Sequence, residues 1–82
     1  MIKVRQAYQI MQRSLGDSDK ITSMTECRRD YVFSTNKTDK GGNVGGYPKV
    51  DKNTGEVGTM WIIDWFDEVD AGTNKEIDIS KF

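Results

Sequence analysis

The densest group of side chains with chemical potential lies between residues 64 and 70. It consists of four carboxylates, Asp64, Asp67, Glu68 and Asp70. Paired carboxylates can exchange protons with a substrate or bind a hard cation. Catalytic pairs usually face each other across a cleft, however, whereas these four share one short segment. The two alternatives are a solvated acidic face and an acidic docking surface for a basic partner.

Three aromatic residues, Trp61, Trp65 and Phe66, lie before and among these carboxylates. Large aromatic side chains supply much of the buried area of a small domain, so most of these rings are expected in the core. A ring that stays exposed would mark a binding surface. The sequence therefore predicts a partner-binding surface at the acidic segment, with Trp65 as its aromatic member.

Cys27 is the only thiol of the chain, and the sequence contains no histidine. A nucleophilic cysteine needs a base, and histidine is the usual one. Arg28 and Arg29 would lower the pKa of the thiol somewhat. A small, half-buried strand residue is nevertheless the favoured interpretation. One cysteine also excludes a disulfide within the chain, and without histidine a structural zinc site is not expected.

Two loops resemble ligand-binding motifs but lack the defining residues. In a calcium loop that begins at Asp51, the sixth position should be glycine and the twelfth a bidentate carboxylate. Here those positions are Glu56 and Ile62. The glycine-rich residues 41–46 lack the lysine-serine/threonine ending of a P-loop and the spacing of a dinucleotide fingerprint. We expect plain turns at both places, and no metal or cofactor.

Composition predicts one small domain over residues 1–82. Twelve basic and 13 acidic residues give a formal charge of −1, which provides no bulk attraction to nucleic acid or to a membrane surface. No apolar run is long enough for a signal peptide or a membrane span. Together with the free thiol, this pattern predicts a cytoplasmic protein.

The clearest periodic segment is an amphipathic helix over residues 2–15, with Gly16 as its C-cap. Its apolar positions are Val4, Ala7, Tyr8, Met11 and Leu15. One apolar stripe requires one surface to cover, most simply a sheet. The expected fold is therefore α+β, with this N-terminal helix packed on an antiparallel sheet of three to five strands.

Alternation of apolar residues and turn signals define the expected strands. These are residues 21–27, 30–35, 47–52, 57–63 and 76–79, with a flexible glycine-rich loop at 36–46. A tight turn at 26–30 is favoured between the first two strands, and one long strand through these residues is the alternative. Pro48 cannot donate to a ladder, which favours either an edge position or an irregular start for the third strand. Residues 64–69 are either a loop or a short helix with Asp64 as N-cap. In such a helix Trp61, Trp65 and Val69 would line one side.

The order of these elements resembles the bacterial immunity protein 35 domain family. The resemblance rests on the leading helix, on the aromatic strand at 30–34, on the glycine-rich loop and on the hairpin Pro-Lys-Val-Asp-Lys-Asn-Thr-Gly-Glu-Val at 48–57. It covers roughly residues 1–60. The resemblance implies a cytoplasmic protein that binds and neutralises a toxin without catalysis of its own. After Met60 the sequence departs from the family, in which a terminal helix lies under the sheet.

The sequence thus predicts a non-catalytic protein-binding module, in the first place an immunity protein. Its partner would contact the acidic segment and the loop at 36–46, represented by Lys40 and Asn43. A small phage or mobile-element protein that inhibits a host nuclease or defence complex is the alternative within the same class. From a different class, the chain could be a structural subunit that self-associates through an edge strand at residues 47–52. An enzyme is the least favoured class.

Overall fold

The computed structural model describes residues 2–16, 19–36, 46–72 and 74–82. In chain order the elements are α1 (Val4–Leu15), β1 (Ile21–Glu26), β2 (Asp30–Thr35), β3 (Gly46–Asp51), β4 (Val57–Trp61), α2 (Ile62–Ala71), β5 (Lys75–Ile77) and a short 3₁₀ helix (Ile79–Lys81). The strands form one antiparallel sheet in the order β4-β3-β2-β1-β5. This confirms the predicted α+β fold, a helix on an antiparallel sheet.

Helix α1 covers one face of the sheet through its apolar stripe. Ala7 and Met11 are fully buried and belong to the same cluster as Met24, Phe33 and Val50 from three strands. The helix begins at Val4, two residues later than predicted, because Lys3 is still extended. Gly16 ends it with a positive φ of 75°, as predicted, which glycine adopts without steric cost.

The opposite face of the sheet carries a second, smaller cluster that helix α2 partly covers. It consists of Cys27, Val32 and Met60, with Tyr47 and Trp65 packed against it. Successive side chains of a strand point to opposite faces, so β2 contributes Phe33 to the α1 side and its neighbour Val32 to the α2 side. The sheet is therefore covered by a helix on each face, whereas the predicted fold has one helix packed on the sheet.

Strand β3 lies inside the sheet, between β2 and β4, so the edge position predicted for residues 47–52 is wrong. The alternative, an irregular start, agrees with the pairing to β2, which extends only from Lys49 to Asp51. Proline is tolerated there because of where its missing donor points. Asp51 donates to Glu56 of the β4 side, and alternation along the strand then turns the nitrogen of Pro48 toward β2. The paired register between β2 and β3 ends at Val32 and Lys49, one residue before the proline would be required to donate.

The turn between β3 and β4 is held by its own side chains and is tied to the start of α1. Asp51 accepts hydrogen bonds from the backbone N–H groups of Asn53 and Thr54, at 2.7 and 3.0 Å. These bonds lower the pKa of the Asp51 carboxyl. Gly55 has a φ of 75°, and Ile2 donates its backbone N–H to the carbonyl of Lys52 at 2.7 Å. The hairpin and α1 are thereby fixed to each other.

Other boundaries differ from the predictions by a few residues. The strand expected at 57–63 ends at Trp61, because the helix begins there, and the last strand is Lys75–Ile77 rather than 76–79. The tight turn at 26–30 is confirmed by a 2.8 Å hydrogen bond from Cys27 N to Asp30 O. Of the loop predicted at 36–46, residues 37–45 lie outside the described residues. No helix in the described ranges is long and apolar enough to cross a membrane.

Candidate protein-binding surface

Helix α2 contains the predicted acidic segment and follows β4 without a connecting loop. Trp61 is both the last residue of the strand and the N-cap of the helix, and no side chain caps its first turn. Asp64, which was predicted to be the N-cap, lies instead inside the first turn, where its charge interacts favourably with the helix dipole. Gly72 ends the helix in the left-handed conformation and donates its N–H to the carbonyl of Val69.

The inner side of α2 contacts the sheet through Trp65 and Glu68. The Trp65 ring packs against Tyr47, with 6.1 Å between ring centroids, and against the second cluster. One turn further along, Glu68 forms an ion pair with Arg28 in the turn between β1 and β2, at 3.3 Å. The helix therefore starts at the β4 edge and crosses the sheet toward β2 and β1.

The outer side of α2 is apolar and exposed. Ile63, Phe66 and Val69 recur at three-residue spacing and therefore lie along one flank of the helix. Their exposed fractions are 77%, 59% and 49%. Isolated exposed apolar residues are normal, but three in a row on one helix form a continuous patch. We call Ile63, Phe66 and Val69 the apolar stripe.

The remaining carboxylates of α2 lie beside the apolar stripe. Asp64, Asp67 and Asp70 follow the neighbouring flank at the same three-residue spacing. All three are exposed. The last turn of the helix contains no basic residue. The outer side of α2 therefore combines exposed apolar area with a row of exposed carboxylates.

A cleft of about 460 Å³ separates the acidic flank of α2 from the sheet. Its floor contains the ion pair between Lys49 and Asp30, with 3.4 Å between Nζ and Oδ2. Charges of both signs line it, from Arg28, Arg29, Asp30, Lys49, Asp64, Asp67 and Glu68, and Met60 is its apolar member. Because cations and anions alternate there, the cleft presents no single charge to a ligand.

Cys27 lies beneath α2 and is almost completely buried. Burial, together with the nearby negative charges of Glu68 and Asp30, raises the pKa of the thiol to about 11. The sequence analysis expected Arg28 and Arg29 to lower this pKa. Arg28 does oppose the shift, but desolvation outweighs it. The thiol is therefore protonated near neutral pH, which is unfavourable for a nucleophile.

The structure separates the site residues that the sequence placed together. Asp64, Asp67 and Asp70 are exposed on α2, whereas Trp65 and Glu68 turn toward the sheet and hold the helix in place. Lys40 and Asn43 lie outside the described residues. Within the described part of the chain, no three acidic, cysteine or histidine side chains lie close enough together to hold a metal ion.

The apolar stripe is the feature that the sequence analysis missed. The sequence predicted that Trp61, Trp65 and Val69 would line one side of the helix. Trp65 packs inward and Val69 follows it by one turn, but Val69 is 49% exposed, and Trp61 precedes the helix as its N-cap and is 56% exposed. The signal was present in the three-residue spacing of Ile63, Phe66 and Val69, but Ile63 had been assigned to the preceding strand.

Comparisons with known proteins identify no relative. No protein family model matches the chain, and no curated protein or solved structure matches it significantly. The function must therefore be inferred from the surface itself.

Proposed function

We propose that this chain is a non-catalytic, cytoplasmic protein-binding module whose partner docks on the outer side of α2. The observation that carries the proposal is the apolar stripe, whose members are between 49% and 77% exposed. Burial of apolar area is the main source of binding free energy, at about 25 cal/mol per Å². A helix that already fixes this area in place loses little conformational freedom on binding.

Charge supports a partner segment that is basic as well as apolar. Asp64, Asp67 and Asp70 border the apolar stripe, and the structure gives none of them an ion pair with another described residue. Such a rim accelerates the encounter with a positively charged surface and disfavours acidic competitors. Glu68 differs from these three, because Arg28 already neutralises it.

A role without catalysis is supported by the state of the groups that could react. The single thiol is buried with a raised pKa, and no histidine is available to activate it. The most specific form of the proposal is an immunity protein, in which the docked partner is a toxin. This form rests on the resemblance of residues 1–60 and on the suitability of α2 for stoichiometric binding.

The test is a comparison of two double variants in affinity capture. Ile63→Ser with Phe66→Ser removes the centre of the apolar stripe, and Gln9→Ser with Gln12→Ser changes two exposed positions on α1. Both pairs alter solvent-facing helix positions, so both variants should fold. We expect the wild type and the α1 variant to retain the same stoichiometric partner from source-cell lysate. The α2 variant should retain at least roughly tenfold less of it, the loss expected for about 1.4 kcal/mol.

The identity of the retained protein then tests the specific form. A toxin domain whose activity is blocked on binding would support the immunity protein. A nuclease or defence complex would instead support the hypothesis that the chain inhibits that target. A partner that the α2 variant retains as well as the wild type does would refute the proposed surface. A second variant, with Asp64, Asp67 and Asp70 all changed to Asn, should bind more slowly and with weaker salt dependence.

A further inference from the structure

Strand β4 forms one edge of the sheet, and no described strand pairs with its outer side. Its inner side pairs with β3, in the register that joins Val57 to Val50 and Trp61 to Gly46. Since Asp51 donates to Glu56 in the same ladder, alternation turns the backbone groups of Gly58 and Met60 toward β3. The N–H and C=O groups of Val57 and Thr59 and the N–H of Trp61 consequently point outward, whereas the C=O of Trp61, the N-cap of α2, belongs to the first turn of the helix.

This edge lacks the features that normally prevent pairing with another strand. Its sequence, Val-Gly-Thr-Met-Trp, contains no charged residue and no proline, and no bulge interrupts its register with β3. Helix α2 leaves the edge at once and crosses the sheet toward β1, so it does not cover the outward side. The opposite edge strand, β5, differs from β4 because it contains only three residues, two of them charged.

Two side chains of β4 are apolar and exposed on the same side of the sheet. Met60 packs into the cluster under α2. Because successive side chains of a strand point to opposite faces of the sheet, Val57, Thr59 and Trp61 lie on the α1 side. Val57 and Trp61 are exposed, and Trp61 is opposite Gly46, which offers no side chain to cover the ring. The ends of the strand are therefore apolar and its centre is a small polar residue.

One register pairs every outward-facing residue of two copies of this edge. If two β4 strands run antiparallel with Thr59 opposite Thr59, each outward-facing residue meets an outward-facing residue of the other copy. Val57 then lies opposite Trp61, a pairing of a β-branched with an aromatic side chain that stabilises sheets. Shifting the centre to Gly58 or Met60 leaves an outward-facing residue of each copy without a strand partner. No like charges meet in the central register, because β4 has none.

We propose that a second copy of this chain binds along β4, forming a two-fold symmetric dimer centred on Thr59 with one continuous antiparallel sheet. This surface is distinct from the apolar stripe, and the dimer does not depend on the proposed function. It replaces the sequence-based prediction that self-association would use residues 47–52, which are interior. Isologous pairing of this kind closes on itself and produces a dimer rather than a filament.

The test is the molar mass of the purified full chain, measured by sedimentation equilibrium from micromolar to millimolar concentration. We expect the wild type to approach twice the 9.3 kDa of one chain as concentration rises. Because Thr59 meets itself at the symmetry axis, Thr59→Lys and Thr59→Glu each place like charges opposite one another. Each variant alone should dimerise roughly tenfold more weakly than the wild type.

An equimolar mixture of the two Thr59 variants should recover dimerisation, since opposite charges then face each other. Thr22→Lys, at an exposed position of β1, is the matched control and should dimerise like the wild type. Unchanged circular dichroism would show that the variants are folded. A wild type that remains at the mass of one chain throughout refutes the dimer. Dimers of Thr59→Lys as stable as those of the wild type, or a mixture that gains nothing, refute this register.

Discussion

The two helices lie on opposite faces of one sheet but expose opposite kinds of surface. Helix α1 buries Ala7 and Met11 and presents glutamine and arginine side chains to solvent. Helix α2 is attached by Trp65 and Glu68 and presents the apolar stripe. The pattern of α1 is accounted for by folding, because all its apolar residues are at least partly buried. Folding does not account for the apolar stripe, so a second role is the natural explanation.

The largest expected effect is a difference in stability between the two helices. Met11→Ala empties a fully buried position of α1 and should lower the free energy of unfolding by about 2–5 kcal/mol. Phe66→Ala removes a larger side chain from α2. It should nevertheless change the free energy of unfolding by no more than about 0.5 kcal/mol, since the ring is mostly exposed. Urea denaturation with a common m-value measures both. Similar losses in the two variants would show that the apolar stripe is part of the core.

This difference also explains what the sequence was able to predict. The stripe of α1 and the two hairpins are determined locally, by helical periodicity, by strand alternation and by the Asp51 turn, and their predictions were correct within two residues. Which residues of α2 face the sheet depends instead on where β4 ends and the helix begins. Once the helix begins at Ile62 and Trp65 packs on Tyr47, the positions of Ile63 and Val69 follow, but no local pattern fixes that starting point.

Pro48 is a second case in which the sequence restricts the structure without determining it. The sequence correctly indicates that its nitrogen cannot take part in a ladder, and an edge strand is the usual consequence. The structure keeps the strand inside the sheet and ends the pairing with β2 at Lys49 instead. A missing donor thus restricts the length of one ladder, and only the assembled sheet shows which ladder is restricted.

A smaller effect is expected from two glycines that have similar positive φ values on the two sides of the molecule. Gly55, in the hairpin beside α1, and Gly72, at the end of α2, have φ values of 75° and 68°. Alanine with a positive φ costs about 1–2 kcal/mol. At Gly55 the added methyl would also lie 3.3 Å from Cδ1 of Ile10, whereas at Gly72 nothing lies within 4 Å.

We therefore expect Gly55→Ala to lower the thermal midpoint clearly more than Gly72→Ala does. The double variant of Gly55→Ala with Ile10→Val, in which the crowded methyl is absent, should recover the part of the loss that comes from contact with α1. If Gly55→Ala and Gly72→Ala are equally destabilising, the hairpin and α1 are less closely packed than the structure indicates.

The smallest expected effect on stability concerns the ion pair that holds the far end of α2. Glu68→Gln breaks the contact with Arg28, but the arginine is more than half exposed, so the loss should stay below about 1 kcal/mol. The effect of Glu68→Gln should be easier to detect in the pKa of the Cys27 thiol. Glu68 is the second contributor, after burial, to the raised pKa of the thiol. Its removal should therefore lower that pKa from about 11, though burial should keep it above the ordinary value.

The direction in which stability changes with pH follows from the linkage between protonation of the thiol and folding. A thiol whose folded-state pKa is raised stabilises the fold fully below its unfolded pKa, near 8.5, and loses that contribution as the pH rises toward about 11. Because Glu68→Gln lowers the folded-state pKa, the contribution of the thiol to stability should be lost at a lower pH than in the wild type. The intensity of the Raman S–H stretch against pH measures the shift without requiring access to the buried thiol, with the exposed Glu56→Gln as control, because Glu56 does not contribute to the pKa of Cys27. An unchanged profile would show that α2 does not bring Glu68 close enough to influence the thiol, and the described attachment of the helix would then be incorrect.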